Sequence, residues 1–143
     1  MKKTRLLAFA VLGITFTSPV VVEAQNSNSI PNYLLFIGET FLGCLNCVAR
    51  DPISVCNPCG DYGNPSSWTS IWNSIEFSEF AEISPWNDFG SNPPEIMDHS
   101  GKCYGYLAAN RFNLDRTTAR AFLNLVEGGD TRQNRNRWCA SLG

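Results

Sequence analysis

With 143 residues, 11 Lys and Arg against 13 Asp and Glu, a formal net charge of −2 and one histidine, the chain is long enough for a single domain and carries no overall positive field. Within these residues this excludes an active site built on two histidines and a surface coated uniformly for nucleic acid. Six cysteines in so short a chain point to covalent staples or a bound metal.

Lys2, Lys3 and Arg5 precede an uncharged apolar run from Leu6 to Val22 that closes on Val22-Glu23-Ala24, the pattern of a secretory signal peptide cleaved after Ala24. Gly13, Thr15, Thr17, Ser18 and Pro19 dilute the run, which favours cleavage over anchoring, so no transmembrane segment is expected after cleavage. The expected location is secreted or periplasmic. Phe41-Leu-Gly-Cys44 has the look of a lipoprotein box but sits too far beyond the apolar run to receive a lipid. Residues 25–32 form a polar, flexible leader, and residues 33–143 a single domain. Charge is unevenly spread: residues 25–100 hold one base, Arg50, against nine acids, whereas residues 101–143 hold seven bases against three acids. Mutual attraction of the two halves is the expected consequence, ahead of an external anionic partner.

Tyr33-Leu-Leu-Phe-Ile37 and Phe41-Leu-Gly-Cys-Leu45 are short apolar runs around Gly38-Glu39-Thr40, which predicts a hairpin or a bent strand. Beyond Asn46, the prolines and glycines of Asp51-Pro52, Asn57-Pro58, Gly60, Gly63 and Asn64-Pro65 break any long helix or central strand. A tetrapeptide recurs there: Ser54-Val-Cys-Asn57, Ser70-Ile-Trp-Asn73 and Ser84-Pro-Trp-Asn87. Each Asn is followed at short distance by an aromatic, namely Tyr62, Phe77 and Phe89, so the stretch reads as a degenerate repeat of turns or short strands. Ser74 to Ser84 satisfies both strand and helix periodicity. Glu95 to Asp98, a turn at His99-Ser100-Gly101 and Lys102 to Ala109 predict a second hairpin. Asp115 predicts the cap of a helix over 115–127, with Ala119, Phe122, Leu123 and Val126 on one apolar face and Gly128-Gly129 ending it. The Arg- and Asn-rich tail ends in Trp138-Cys139, which implies that it is pinned to the body. The expected fold is α+β: a small cysteine-stapled domain, mostly short strands and turns with degenerate repeats, and one C-terminal helix.

The series Gly43-x-Leu45, Asp51-Pro-x-Ser54, Asn57-Pro-x-Gly60 and Tyr62-Gly63 resembles a repeat found in uncharacterised exported bacterial proteins, some attached to thermonuclease-like domains. Asn92-Pro-Pro94, Asp98-x-x-Gly101 and Tyr104-Gly-Tyr-Leu107 resemble its closing segment, so the likeness spans about residues 41–110. The group has no assigned catalytic residues to carry over; the resemblance implies at most an accessory role near nucleic acid.

Several residue sets carry candidate chemistry. Cys44, Cys47, Cys56 and Cys59 have the paired spacing of a tetrahedral Zn2+ site, while an oxidising compartment favours disulfides among all six cysteines, with Cys103 and Cys139 as the remaining pair. No helix follows either Cys-x-x-Cys, which argues against a thiol oxidoreductase. Apart from the Zn2+ alternative, no cofactor is expected. His99 in a turn, and Glu76, Glu79 and Glu82 at three-residue spacing, are the only candidates for acid–base work; a solvated turn and a solvated acidic edge are the plainer readings. Trp68, Trp72 and Trp86 are candidates for a binding face for a protein or a glycan, against a role in the core, and Arg132, Arg135 and Arg137 for contact with phosphates. The balance favours a non-catalytic exported binding or envelope-associated module, with a secreted enzyme or nuclease accessory using the acidic edge or His99 as the alternative.

Overall fold

The computed structural model describes residues 29–128 and 130–142. The expected signal peptide and the first half of the leader, residues 25–28, lie outside them. Four strands form one antiparallel sheet in the order β2-β1-β3-β4: β1 Leu34–Ile37, β2 Thr40–Cys44, β3 Glu95–Met97 and β4 Cys103–Tyr106. Both predicted hairpins are present. Gly38 turns the first with φ +55°, and Gly101 turns the second with φ +82°. A register shift between Leu35 and Phe36 bulges the first hairpin. β1 also pairs with β3, so the long excursion between β2 and β3 returns to the middle of the sheet.

That excursion is neither helix nor strand, which settles the ambiguity of Ser74 to Ser84 in favour of turns. Backbone N–H groups bond carbonyls three residues earlier in long series, as in Ser54 to Asp51, Asn57 to Ser54, Gly60 to Asn57, Ser70 to Ser67, Asn73 to Ser70, Ser84 to Ala81 and Asn87 to Ser84. The side chains of the tetrapeptides fix these turns. Each Ser hydroxyl accepts the N–H two residues on, from Cys56, Trp72 and Trp86. Each Asn carbonyl oxygen accepts the N–H two residues on, from Cys59, Ile75 and Phe89, while its amide donates to the carbonyl six residues back. Ser54, Ser70 and Ser84 are fully buried. These local bonds offset the cost of taking three hydroxyls out of water, which would otherwise be of order 1–3 kcal/mol each.

Successive turns are tied through their third positions. Trp72 donates its indole N–H to the Val55 carbonyl, Trp86 donates to Ile71, and the two rings stack with centroids 5.4 Å apart. Close approach requires Gly63 in the same region: a Cβ there would lie 2.1 Å from the Asn57 carbonyl oxygen. The core runs from Leu35 and Ile96 of the sheet through Leu45, Val55, Ile71 and Trp72 to Leu107, Phe122 and Leu125.

Among the described residues there are two helices rather than the one expected: α1 Arg120–Val126 and α2 Thr131–Ser141. The expected helix start at Asp115 is a misreading. The Asp115 carbonyl accepts the Tyr106 N–H and the Tyr106 carbonyl accepts the Thr117 N–H, both at 2.9 Å. The edge of β4 thus holds Arg116 in a parallel bridge to Tyr106, and Gly105, with φ +88°, permits the approach. α1 starts at Ala119 without a side-chain cap. α2 takes Asp130 as its cap, whose carboxylate accepts the Gln133 N–H at 2.8 Å. Its few apolar groups are enough to pin it: Trp138 donates its indole N–H to the Leu45 carbonyl at 2.7 Å, and Cys139 is bonded to Cys56.

Candidate functional site

The cysteine framework differs from the expected one. The disulfides are Cys44–Cys47 and Cys56–Cys139, and Cys59 and Cys103 are exposed free thiols. Cys139 therefore does not pair with Cys103, because α2 carries it to the first Ser-x-x-Asn turn while Cys103 faces outward on β4. The zinc alternative required four thiolates from Cys44, Cys47, Cys56 and Cys59; three of those sulfurs are held in disulfides.

His99 is exposed in the β3–β4 turn, where Asp98 bonds to the backbone of Ser100 and Lys102 rather than to His99. The Asp98 carboxylate also accepts the Ser100 and Tyr104 hydroxyls. With the Ser100 contact foremost, these donors lower its pKa to about 2. Glu76, Glu79 and Glu82 lie along the turns, Glu79 and Glu82 exposed, with the Ser91 hydroxyl bonded to Glu82. None of the three is bonded to His99.

The three tryptophans separate. Trp72 is buried, Trp86 is half-buried, and both belong to the core, whereas Trp68 stands 67% exposed. The three arginines separate as well. Arg135 lies partly buried and donates to the Gly63 carbonyl at 2.8 Å; Arg132 is exposed one helical turn before it. Arg137 bonds to Asn134 and to the Gly128 carbonyl instead. A continuous phosphate-contacting stripe is therefore not formed. Nor do the acidic and basic stretches meet through ion pairs. The one ion pair among the described residues, Arg116–Glu127 at 2.8 Å, lies within the basic stretch, and Arg116 lowers the pKa of Glu127 through that contact.

The turns build a surface that the spacing of serines and tryptophans did not reveal. A further Asn, Asn110, makes the same contact with the N–H two residues on, without a Ser or Trp beside it, while its amide reaches a neighbouring turn rather than its own. Its side-chain oxygen accepts the Phe112 N–H, and its amide donates to the Gly90 carbonyl, both at 2.9 Å. The Ala109 N–H bonds the Pro85 carbonyl, which places this turn next to that of Asn87. Cys59, Ile75, Phe89 and Phe112 thus occupy one position, two residues after Asn57, Asn73, Asn87 and Asn110. All four are exposed, with Ile75 at 75% and Phe89 and Phe112 at 80%. Phe89 and Phe112 line a shared recess together with Ala109, Asp88 and Arg111. Phe89 consequently matches neither Tyr62 nor buried Phe77, with which the aromatic spacing grouped it. The signal that finds the row is Asn-x-apolar, as in Asn73-Ser-Ile75, Asn87-Asp-Phe89 and Asn110-Arg-Phe112.

Acidic groups border Ile75 and Phe89, and Arg111 borders Phe112. Glu76 follows Ile75, Asp88 precedes Phe89, and no Lys or Arg occurs between Arg50 and Lys102. Phe80, 82% exposed and next to Glu79, lies on the turn that follows Phe77. Among the described residues no helix is long and apolar enough to cross a membrane. Comparison with protein-family models, curated proteins and solved structures finds no match, so the functional reading rests on this geometry.

Proposed function

We propose that the protein is an exported, non-catalytic binding module that docks a partner protein through the row Ile75, Phe89 and Phe112. The observation that carries the reading is the alignment of three large apolar side chains, each at least three-quarters exposed, at equivalent positions of neighbouring turns. Leaving such groups in water costs about 1.5–3 kcal/mol each relative to full burial, and contiguous exposed apolar surface marks an interaction site. Glu76 and Asp88 beside Ile75 and Phe89, with Arg111 only at the Phe112 end, define the partner's chemistry: an apolar strip whose Ile75–Phe89 side is flanked by Lys or Arg. The disulfides support export because such bonds persist outside the reducing cytosol.

An amphipathic peptide of alternating Leu and Lys blocks, labelled for anisotropy, serves as the probe, beside a scrambled peptide of equal charge. The amphipathic form should bind more tightly than the scrambled one, weaken with salt, and lose at least about tenfold in affinity against I75S/F89S/F112S. Equal binding of both peptides, or no loss in the triple variant, would contradict the reading.

A further inference from the structure

α2 meets the turns between Pro65 and Ser74 across a cleft of about 510 Å³, lined by Pro65, Trp72, Ser74, Asp130, Arg132 and Arg135 among others. Arg135 is unusual in this setting. One guanidinium nitrogen donates to the Gly63 carbonyl, its Nε is buried without a hydrogen-bond partner, and no carboxylate lies within ion-pair distance of it among the described residues. Burial lowers the pKa of the group, as expected for a cation drawn out of water without a counter-ion. Arg132, three residues earlier on α2, adds a second positive charge to the same wall. The one acid lining the cleft, Asp130, already uses a carboxylate oxygen to cap α2. Trp72 and Pro65 supply the apolar wall.

We propose that this cleft is a binding site for a small oxyanion carried on a flat apolar body, a phosphate monoester or a carboxylate attached to a ring. Arg135 and Arg132 hold the oxyanion by charge-assisted hydrogen bonds, and the ring lies against Pro65 and the part of Trp72 that lines the cleft. An anion here supplies the counter-charge that Arg135 lacks. The site is separate from the apolar row and does not depend on the docking reading.

Calorimetric titration of the purified protein with phenyl phosphate, benzoate and inorganic phosphate tests the assignment. Saturable binding of phenyl phosphate or benzoate at one site is expected, and whichever of the two binds identifies the oxyanion. Inorganic phosphate, lacking the ring, should bind more weakly. Arg132→Gln, an exposed change that leaves the core intact, should weaken binding about tenfold, and Arg135→Gln should abolish it. I75S/F89S/F112S should leave the titration unchanged, which separates this site from the row. Absence of saturable binding by both ring-bearing ligands, or unchanged affinity in Arg132→Gln, would overturn the proposal. Binding that is lost in Arg137→Gln but not in Arg132→Gln would overturn it equally, by placing the anion elsewhere.

Discussion

The indole of Trp86 donates its N–H to the carbonyl of Ile71 at 2.8 Å, and Ile71 immediately precedes Trp72, whose own indole bonds the carbonyl of Val55. Each ring therefore secures the turn before it. In the first tetrapeptide the same position is Cys56, whose link runs to α2 instead. Aromatic hydrogen bonding and a disulfide hold equivalent points of one stack of turns.

Replacing either Trp by Phe keeps most of the ring and removes the donor. Trp72→Phe leaves the Val55 carbonyl buried without its partner and should cost about 1–3 kcal/mol. Trp86→Phe should cost less, because Trp86 is half-buried and its bond to Ile71 lies nearer solvent than that of Trp72 to Val55. Urea denaturation followed by circular dichroism measures both, and the reverse order would argue against the ladder.

The two disulfides should differ sharply in worth. Cys56–Cys139 closes a separation of 83 residues and Cys44–Cys47 one of 3. The chain-entropy argument assigns about 4–5 kcal/mol to the long closure and only about 1–2 kcal/mol to the short one. Cys139→Ser should therefore lower the urea midpoint more than Cys47→Ser, and should release the amide protection of α2. Equal midpoints would contradict this. In the unaltered protein, a thiol reagent should modify Cys59 and Cys103 without denaturant and leave the other four cysteines unmodified.

Asp98 should titrate well below an ordinary carboxylate. Its pKa of about 2 in the folded chain lies under the roughly 3.9 of an unfolded Asp. Folding thus gains from its ionised form, with the gain complete above about pH 4 and lost as pH falls through about 2. Carboxyl carbon shifts followed by NMR across this window should give a midpoint near 2, moving up in Ser100→Ala, whose hydroxyl is the largest contributor. A midpoint near 4 in the unaltered protein would show that the β3–β4 turn is not held by this carboxylate.

Much of the sheet was legible in the residues. Gly38 and Gly101 sit between apolar runs, and a turn that admits positive φ leaves a hairpin as the simplest outcome. The Ser and Asn positions were legible too, because their bonds are local. What escaped depends on distant partners. Asp115 has the composition of a cap, yet the free edge of β4 competes for its backbone and wins. α2 carries too few apolar residues for periodicity to reveal it, since Trp138 and Cys139 rely on Leu45 and Cys56, residues far back in the chain. Cysteine spacing alone could not choose Cys56 for Cys139. The row ending at Phe112 was hidden because the turn at Asn110 has Leu107, Ala108 and Ala109 where the others have Ser, an apolar residue and Trp or Cys.

The placement of the docking surface is tested most directly by amide chemical-shift mapping with the amphipathic Leu/Lys peptide. The account predicts perturbations that cluster at Ser74 to Glu76, Asp88 to Phe89 and Arg111 to Leu114, and that vanish in I75S/F89S/F112S while the rest of the spectrum is preserved. Perturbations confined to α2 or the β3–β4 turn, or none at saturating peptide, would contradict it.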